Sequence, residues 1–327
     1  MMKPVLKPVL YVFCLVACQI VWAGCSKKGP GSVASDSTQP PLATTPAPPA
    51  TWQEHWFEHR QLLARVFHDT SVVVYFDKDV LPSLKWPNDT LARIWNYTKK
   101  TYGSFGKDAR LYAVFHTGKY SGGHPSTYMD ASHDYRNVID VGSSSLNAWI
   151  TGAGNDLDIV AHEVGHIVES AVKGVHRSPA FPIWHDSKWM EIYQYDLYLG
   201  LGWKADAQRW FNLMEAKKDD YPRANTRWFV DWFYPLYTQH GGSKVLDGFF
   251  ALLAKHFPKQ SYYNGATTYP EYSRDMNFGE FIHFWSGAAK ADLKDLALQA
   301  FGDKDEKGGD WRVQLAQAKK DFAAITY

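Results

Sequence analysis

Residues 156–172, DLDIVAHEVGHIVESAV, set the strongest constraint on how this chain can fold. Within an apolar run they carry His162, Glu163 and His166, at positions where core packing alone favours leucine or isoleucine. The preceding Gly152-Ala153-Gly154-Asn155 marks a turn, and Asn155 predicts an Asx cap that opens a helix. On a helix, residues four apart lie one turn above each other on one face, so His162 and His166 can share one metal ion. Glu163 leaves the helix about 100° round from His162, where it can reach a water on that ion rather than the ion itself. The rival reading is a buried, hydrogen-bonded histidine pair. Gly165 favours the metal reading. Glycine inside a helix costs about 1 kcal/mol relative to alanine, so another backbone is expected to approach closely there.

Around this segment the pattern predicts an α+β fold: a small mixed β-sheet in residues 52–172 that includes the metal-site helix, then a mainly helical part over 173–327. Residues 52–67 have helical spacing. Strands are expected over 71–76, 110–117 and 137–141, the last two separated by a Gly/Ser/His-rich loop, and a helix with proline near its start over 87–99. Helices are expected over 187–200, 205–217, 225–239, 243–256, 278–289, 291–301 and 310–323. No internal repeat is found.

The N-terminus reads differently. Residues 1–23 join a short basic start to an apolar run too short for a spanning helix, which predicts a secretory signal. The run ends in AGCSKK, which resembles a bacterial lipobox with Cys25 as the lipidated residue, although Trp22 departs from the usual leucine. Leu15-Val16-Ala17-Cys18 fits that pattern better, but cleavage there would leave IVWA exposed. Ordinary signal cleavage or an uncleaved anchor is the alternative. Residues 26–51, rich in Pro, Ser and Thr, predict a flexible tether between a membrane anchor and a domain over 52–327. All three cysteines lie at or before position 25, which excludes disulfides, thiolate zinc sites and cysteine nucleophiles from that domain. A net charge of +1 without a basic block argues against nucleic acid as a partner. Aromatic residues reach 16%, which predicts a thick aromatic core ahead of a sugar-stacking cleft.

His55 and His59 also stand four apart, but their glutamates precede them, so neither carboxylate sits where a base is needed. An exposed amphipathic helix explains this pair more simply. A third ligand for His162 and His166 must come from downstream. The metzincin pattern needs glycine and histidine where this chain has Glu169 and Val172. Glu169 shares the helix and cannot close a tetrahedron around a metal already held there. Glu191 follows a turn-rich loop and lies in the helical run KWMEIYQYDLYLGLG, from which an antiparallel helix can present it to the metal. Metal coordination would also compensate its charge in those aromatic surroundings. Asp196, His185 and His176 remain as alternatives.

HEVGH followed by a helix-borne glutamate resembles the gluzincin class of zinc metallopeptidases, the broad group containing thermolysin and aminopeptidase N. The likeness covers residues 156–202, and GEFIHFWSGAAKADLKDLALQAFG loosely resembles the helical closing region of aminopeptidase-like families. It implies Zn2+ held by His162, His166 and Glu191, with Glu163 as general base. Where gluzincins often carry an orienting acid four positions after the third ligand, this chain has Tyr195, with Asp196 one later. A GAMEN-like exopeptidase strand is absent. Tyr234, Tyr237, His240, Tyr272 and His283 are candidates for steadying an oxyanion, and sequence does not choose among them. The leading expectation is an exported, lipid-anchored, monomeric zinc endopeptidase acting on extracytoplasmic proteins or peptides. Its rivals are a non-catalytic glycan- or protein-binding lipoprotein on a peptidase-like scaffold and a zinc hydrolase of a non-peptide bond.

Overall fold

The computed structural model describes residues 46–327; Cys25, Cys18 and the greater part of the expected tether lie outside them. The first strands are built from alternating and β-branched sequence. They are β1 (Thr51–Gln53), β2 (Leu62–His68) and β3 (Val72–Phe76). Helix α1 (Trp86–Tyr102) follows, with Pro87 in its first turn, then β4 (Leu111–Thr117), β5 (Lys119–Ser126) and β6 (Asn137–Ser143). These six strands form one mixed sheet in the order β1-β2-β3-β4-β6-β5. The pairs β3–β4 and β4–β6 are parallel; β1–β2, β2–β3 and β5–β6 are antiparallel.

The remainder is mainly helical: α2 (Asn155–Ala171), the short α3 (Phe181–Trp184), α4 (Lys188–Gly200), α5 (Lys204–Glu215), α6 (Tyr234–Gln239) and α7 (Ser243–His256). A hairpin of β7 (Lys259–Tyr263) and β8 (Thr268–Tyr272) precedes α8 (Phe278–Ala289), α9 (Lys294–Phe301) and α10 (Trp311–Asp321). Asn277 and Glu280 close a reciprocal capping box at the start of α8. The fold is thus α+β, with the large sheet in the N-terminal part and most helices after it. Among the described residues, no helix is long and apolar enough to cross a membrane.

Successive strand side chains point to opposite faces, and this alternation divides the interior. Val72, Val74 and Phe76 of β3 join the large core with α1, α2 and the later helices. Val73 and Tyr75, with Tyr112 and Val114 of β4 and Val138 of β6, form a smaller cluster on the other face, covered by Trp52, Trp56 and Leu63. The same period places Asp77, just after β3, His116, near the end of β4, and Asp140, in the middle of β6, on that second face.

Four expectations need correction. The helix expected over 52–67 is two strands joined by a turn, because the Trp52, Trp56 and Leu63 spacing that suited a helix also suits aromatic and branched residues covering a sheet. The Gly/Ser/His-rich stretch contains β5, whose weak intrinsic preference is overridden by pairing with β6. Residues 225–239 begin with a π-helical turn at Trp228–Phe233, and the hairpin at 259–272 interrupts the helical part. Asn155 begins α2 without capping it: the cap is Gly154 and makes no side-chain hydrogen bond.

Candidate functional site

Helix α2 packs beneath β5 and beside α4. Gly165 allows the second of these contacts: a Cβ there would stand 2.9 Å from Tyr193 Cδ1 and 3.2 Å from Met190 Cγ of α4. The close approach expected at this glycine is therefore made by side chains of the helix that carries Glu191. Trp189 Nε1 donates to the Gly165 carbonyl at 3.1 Å and pins the pair.

The helical period brings His162 and His166 together, with their Nε2 atoms 3.2 Å apart. The Nδ1 of His166 faces Glu169 Oε2 at 3.2 Å, and Trp184 donates to the other oxygen of the same carboxylate. Glu169, unsuited to be a ligand from its position on α2, thus fixes the orientation of His166 so that Nε2 points toward His162. Its i, i+3 spacing from His166 was the available signal. The orienting role considered for Asp196 is not what the structure shows. That carboxylate accepts hydrogen bonds from Tyr102 and Tyr237, both at 2.9 Å, and from Ser243 at 2.5 Å.

Burial lowers the His162 pKa to about 4, with His166 and Lys217 adding to the shift, so its ring is neutral and carries a free lone pair at pH 7. Burial pushes His166 the same way, but the Glu169 hydrogen bond together with the negative charges of Glu169, Glu163 and Asp186 outweighs it, and the net shift is upward. Glu163 is buried, and removal from water raises its pKa to about 7. Its Oε2 has no hydrogen-bond partner. The carboxylate lies against Gly123 of β5, where an added Cβ would come 2.2 Å from Oε1. Glycine at 123 is what leaves room for Glu163 under the edge strand.

The other named candidates separate. Asp186, reached by none of the sequence arguments, is the carboxylate whose ligand atom falls within 4.8 Å of those of His162 and His166, and its Oδ1 is 3.4 Å from His166 Nε2. Glu191 is not gathered into that set. It is buried on α4, its Oε1 is 2.5 Å from Lys217 Nζ, and its Oε2 has no hydrogen-bond partner. Burial raises its pKa, and Lys217 and Lys188 act against that rise. His176 is held between Asp130 and Glu271, while His185 packs edge-on against Tyr221. Of the oxyanion candidates, Tyr237 is bound to Asp196, and His283 to Tyr327 and the Phe322 carbonyl.

A second group was missed. Glu54, His59, His116 and Asp140, all buried, bring one ligand atom each within 4.8 Å of the others. His59 thus belongs to a buried cluster and not to an exposed helix.

No protein-family model and no curated protein sequence matches the chain. Among solved structures it is distantly similar to a conserved protein of unknown function from Bacillus anthracis (12% identity, TM-score 0.46, 76% of this chain and 50% of that one). It is likewise similar to an M1 zinc metallopeptidase from Deinococcus radiodurans (10% identity, TM-score 0.46, 77% of this chain and 51% of that one). The chain spans about half the length of these structures.

Proposed function

We propose that this chain is a zinc-dependent metallopeptidase that cleaves internal bonds of extended peptides or proteins outside the cytoplasm. One observation carries the reading. Two imidazole Nε2 atoms converge at 3.2 Å on a buried helix, next to a buried carboxylate with an unpartnered oxygen. Zinc suits this donor set: His162 and His166 supply two nitrogens, and Glu191 the third ligand through a carboxylate whose Oε2 is unpartnered. The Lys217 ammonium and a zinc ion would compete for that carboxylate. Asp186 is the rival ligand, but its side chain is 82% exposed, where water competes for it.

Zinc held here supplies Lewis acidity, polarising a carbonyl and lowering the pKa of water to about 7. Glu163, one position round the helix, accepts the proton of the attacking water and returns it to the departing amine. Glu169 keeps the His166 ring in register throughout. Among the described residues β5 ends the sheet with one backbone edge unpaired, and the strand packs against α2. An extended peptide can add to such an edge through main-chain hydrogen bonds, which favours endopeptidase action on unfolded segments.

Zinc-loaded wild-type protein is expected to cleave a mixed peptide library, and His162→Ala to lose zinc and turnover together. Cleavage undiminished in His162→Ala removes the reading. In the same assay, a greater loss of zinc in Asp186→Asn than in Glu191→Gln would transfer the third-ligand role to Asp186. The lipobox-like AGCSKK supports an anchor at Cys25. Cys25→Ser should release the protein from membranes, and continued lipid labelling of that variant would point to Cys18.

A further inference from the structure

On the face of the sheet away from α2, three side chains meet from separate parts of the chain. Glu54 comes from the turn after β1, His116 from β4 and Asp140 from β6; none is more than 1% exposed. Each has one atom engaged by a neighbour that fixes its orientation. Asp77 Oδ2 stands 2.9 Å from His116 Nδ1. The Gln61 amide donates to Glu54 Oε2 at 2.7 Å. Trp56 Nε1 and His59 Nδ1 reach Asp140 Oδ2 at 2.7 and 2.8 Å.

The other atom of each has no hydrogen-bond partner: His116 Nε2, Glu54 Oε1 and Asp140 Oδ1. Yet these three face one another, with Nε2 2.8 Å from Glu54 Oε1 and 3.1 Å from Asp140 Oδ1. The distances would allow hydrogen bonds, and although burial opposes charge on His116, the Asp140, Asp77 and Glu54 carboxylates together raise its pKa. A single N–H on Nε2 still cannot point at both oxygens, so a carboxylate oxygen is left unsatisfied. A buried polar group left unpaired is destabilising, and more so when charged. Three such atoms pointing at one spot therefore call for something positive between them.

We propose that Glu54 Oε1, His116 Nε2 and Asp140 Oδ1 bind a divalent first-row metal ion in a closed, structural site. Two carboxylates and a neutral imidazole balance a dication, and this mixed oxygen and nitrogen set suits zinc or manganese. Asp77 on the far nitrogen of His116 makes the carboxylate–histidine–metal relay that selects the tautomer with a free Nε2 lone pair. His59, within the same 4.8 Å group, holds Asp140 from behind. The ion ties the turn at 54–61 to β4 and β6, the strands on which β5 is laid.

The site is independent of the α2 histidines, so metal content separates the two. Full-length protein loaded with Zn2+ and dialysed is expected to retain two ions per chain. His162→Ala/His166→Ala should retain one, and Glu54→Gln/Asp140→Asn should retain the other. Chelation of the ion left in the histidine variant should lower its melting temperature. One ion in the wild type, lost in His162→Ala/His166→Ala, overturns the proposal and spares the peptidase reading. One ion that survives in that variant and is lost in Glu54→Gln supports the proposal and defeats the peptidase reading. Should the Glu54/Asp140 variant fail to fold, zinc-edge absorption on the histidine variant decides: an imidazole in the shell supports the site, and an all-oxygen shell without imidazole overturns it.

Discussion

The two histidine–carboxylate clusters lie on opposite faces of one sheet and are finished differently. On α2, His166 is buried, His162 is partly buried and the neighbouring Asp186 is open to solvent. On the opposite face, Glu54, His116 and Asp140 are sealed, and the outer oxygen or nitrogen of each is tied to a protein group. A catalytic metal site keeps a position within reach of water or substrate, and the sealing of the second cluster denies that access. Similar donor atoms thus sit in different surroundings: solvent reaches the α2 cluster at Asp186 and is kept from the buried one, which fits the proposed catalytic role for the first and the proposed structural role for the second.

Both clusters orient a histidine through a carboxylate, Glu169 for His166 and Asp77 for His116. Removing an orienting partner typically weakens metal binding about 10- to 100-fold. Glu169→Gln should therefore reduce zinc affinity at α2 by that order without affecting retention of a second ion, as read by competition with a chromophoric chelator. Equal loss at both sites would mean that they are coupled through the sheet and that the comparison fails.

A third histidine shows what the same residue types do without converging lone pairs. His176 faces Glu271 Oε1 from Nδ1 at 2.9 Å and Asp130 Oδ1 from Nε2 at 3.3 Å, and it stacks on Tyr262. Both ring nitrogens can donate only when the ring is charged. Burial opposes that charge, but the two carboxylates outweigh it and raise the His176 pKa. Burial likewise opposes ionisation of Asp130 and Glu271, and the hydrogen bonds they accept outweigh it and lower both pKa values. The histidine contribution to stability is complete below about pH 6.5 and fades as pH rises through the elevated folded value. The acids contribute above about pH 4 and lose that contribution as pH falls through their lowered values. Melting temperature should accordingly fall modestly between pH 6 and 9 in the wild type, and less in His176→Gln. Identical pH profiles would show that His176 is not charged in the fold.

These contrasts also explain what could be read from the sequence. His162, Glu163 and His166 were legible because one turn of helix fixes their relation, and the apolar run around them made the helix secure. The strands at 72–76, 111–117 and 137–143 and most later helices were legible from pattern for the same local reason. Glu54, His116 and Asp140 were not, since they are separated by 62 and 24 residues and meet only when β4 and β6 pair in register, with His116 opposite Gly142. Reading residues 52–67 as a helix hid the cluster further, because it put His59 on a solvent face. Glu169 was set aside as a ligand, but its tie to Trp184 depends on a chain reversal that the sequence pattern did not reveal. Asp186 had no signal: it sits in a loop, and its closeness to His166 follows from where that loop ends.

The largest effect is expected at Glu163, and it tests most directly the claim that the α2 cluster does chemistry. The measurement is zinc content and peptide turnover on one preparation of Glu163→Gln beside the wild type. Zinc should remain at the wild-type level while turnover falls about 10²- to 10⁴-fold, since the carboxylate moves a proton and does not hold the ion. Wild-type turnover in Glu163→Gln, or loss of zinc together with activity, would contradict the account.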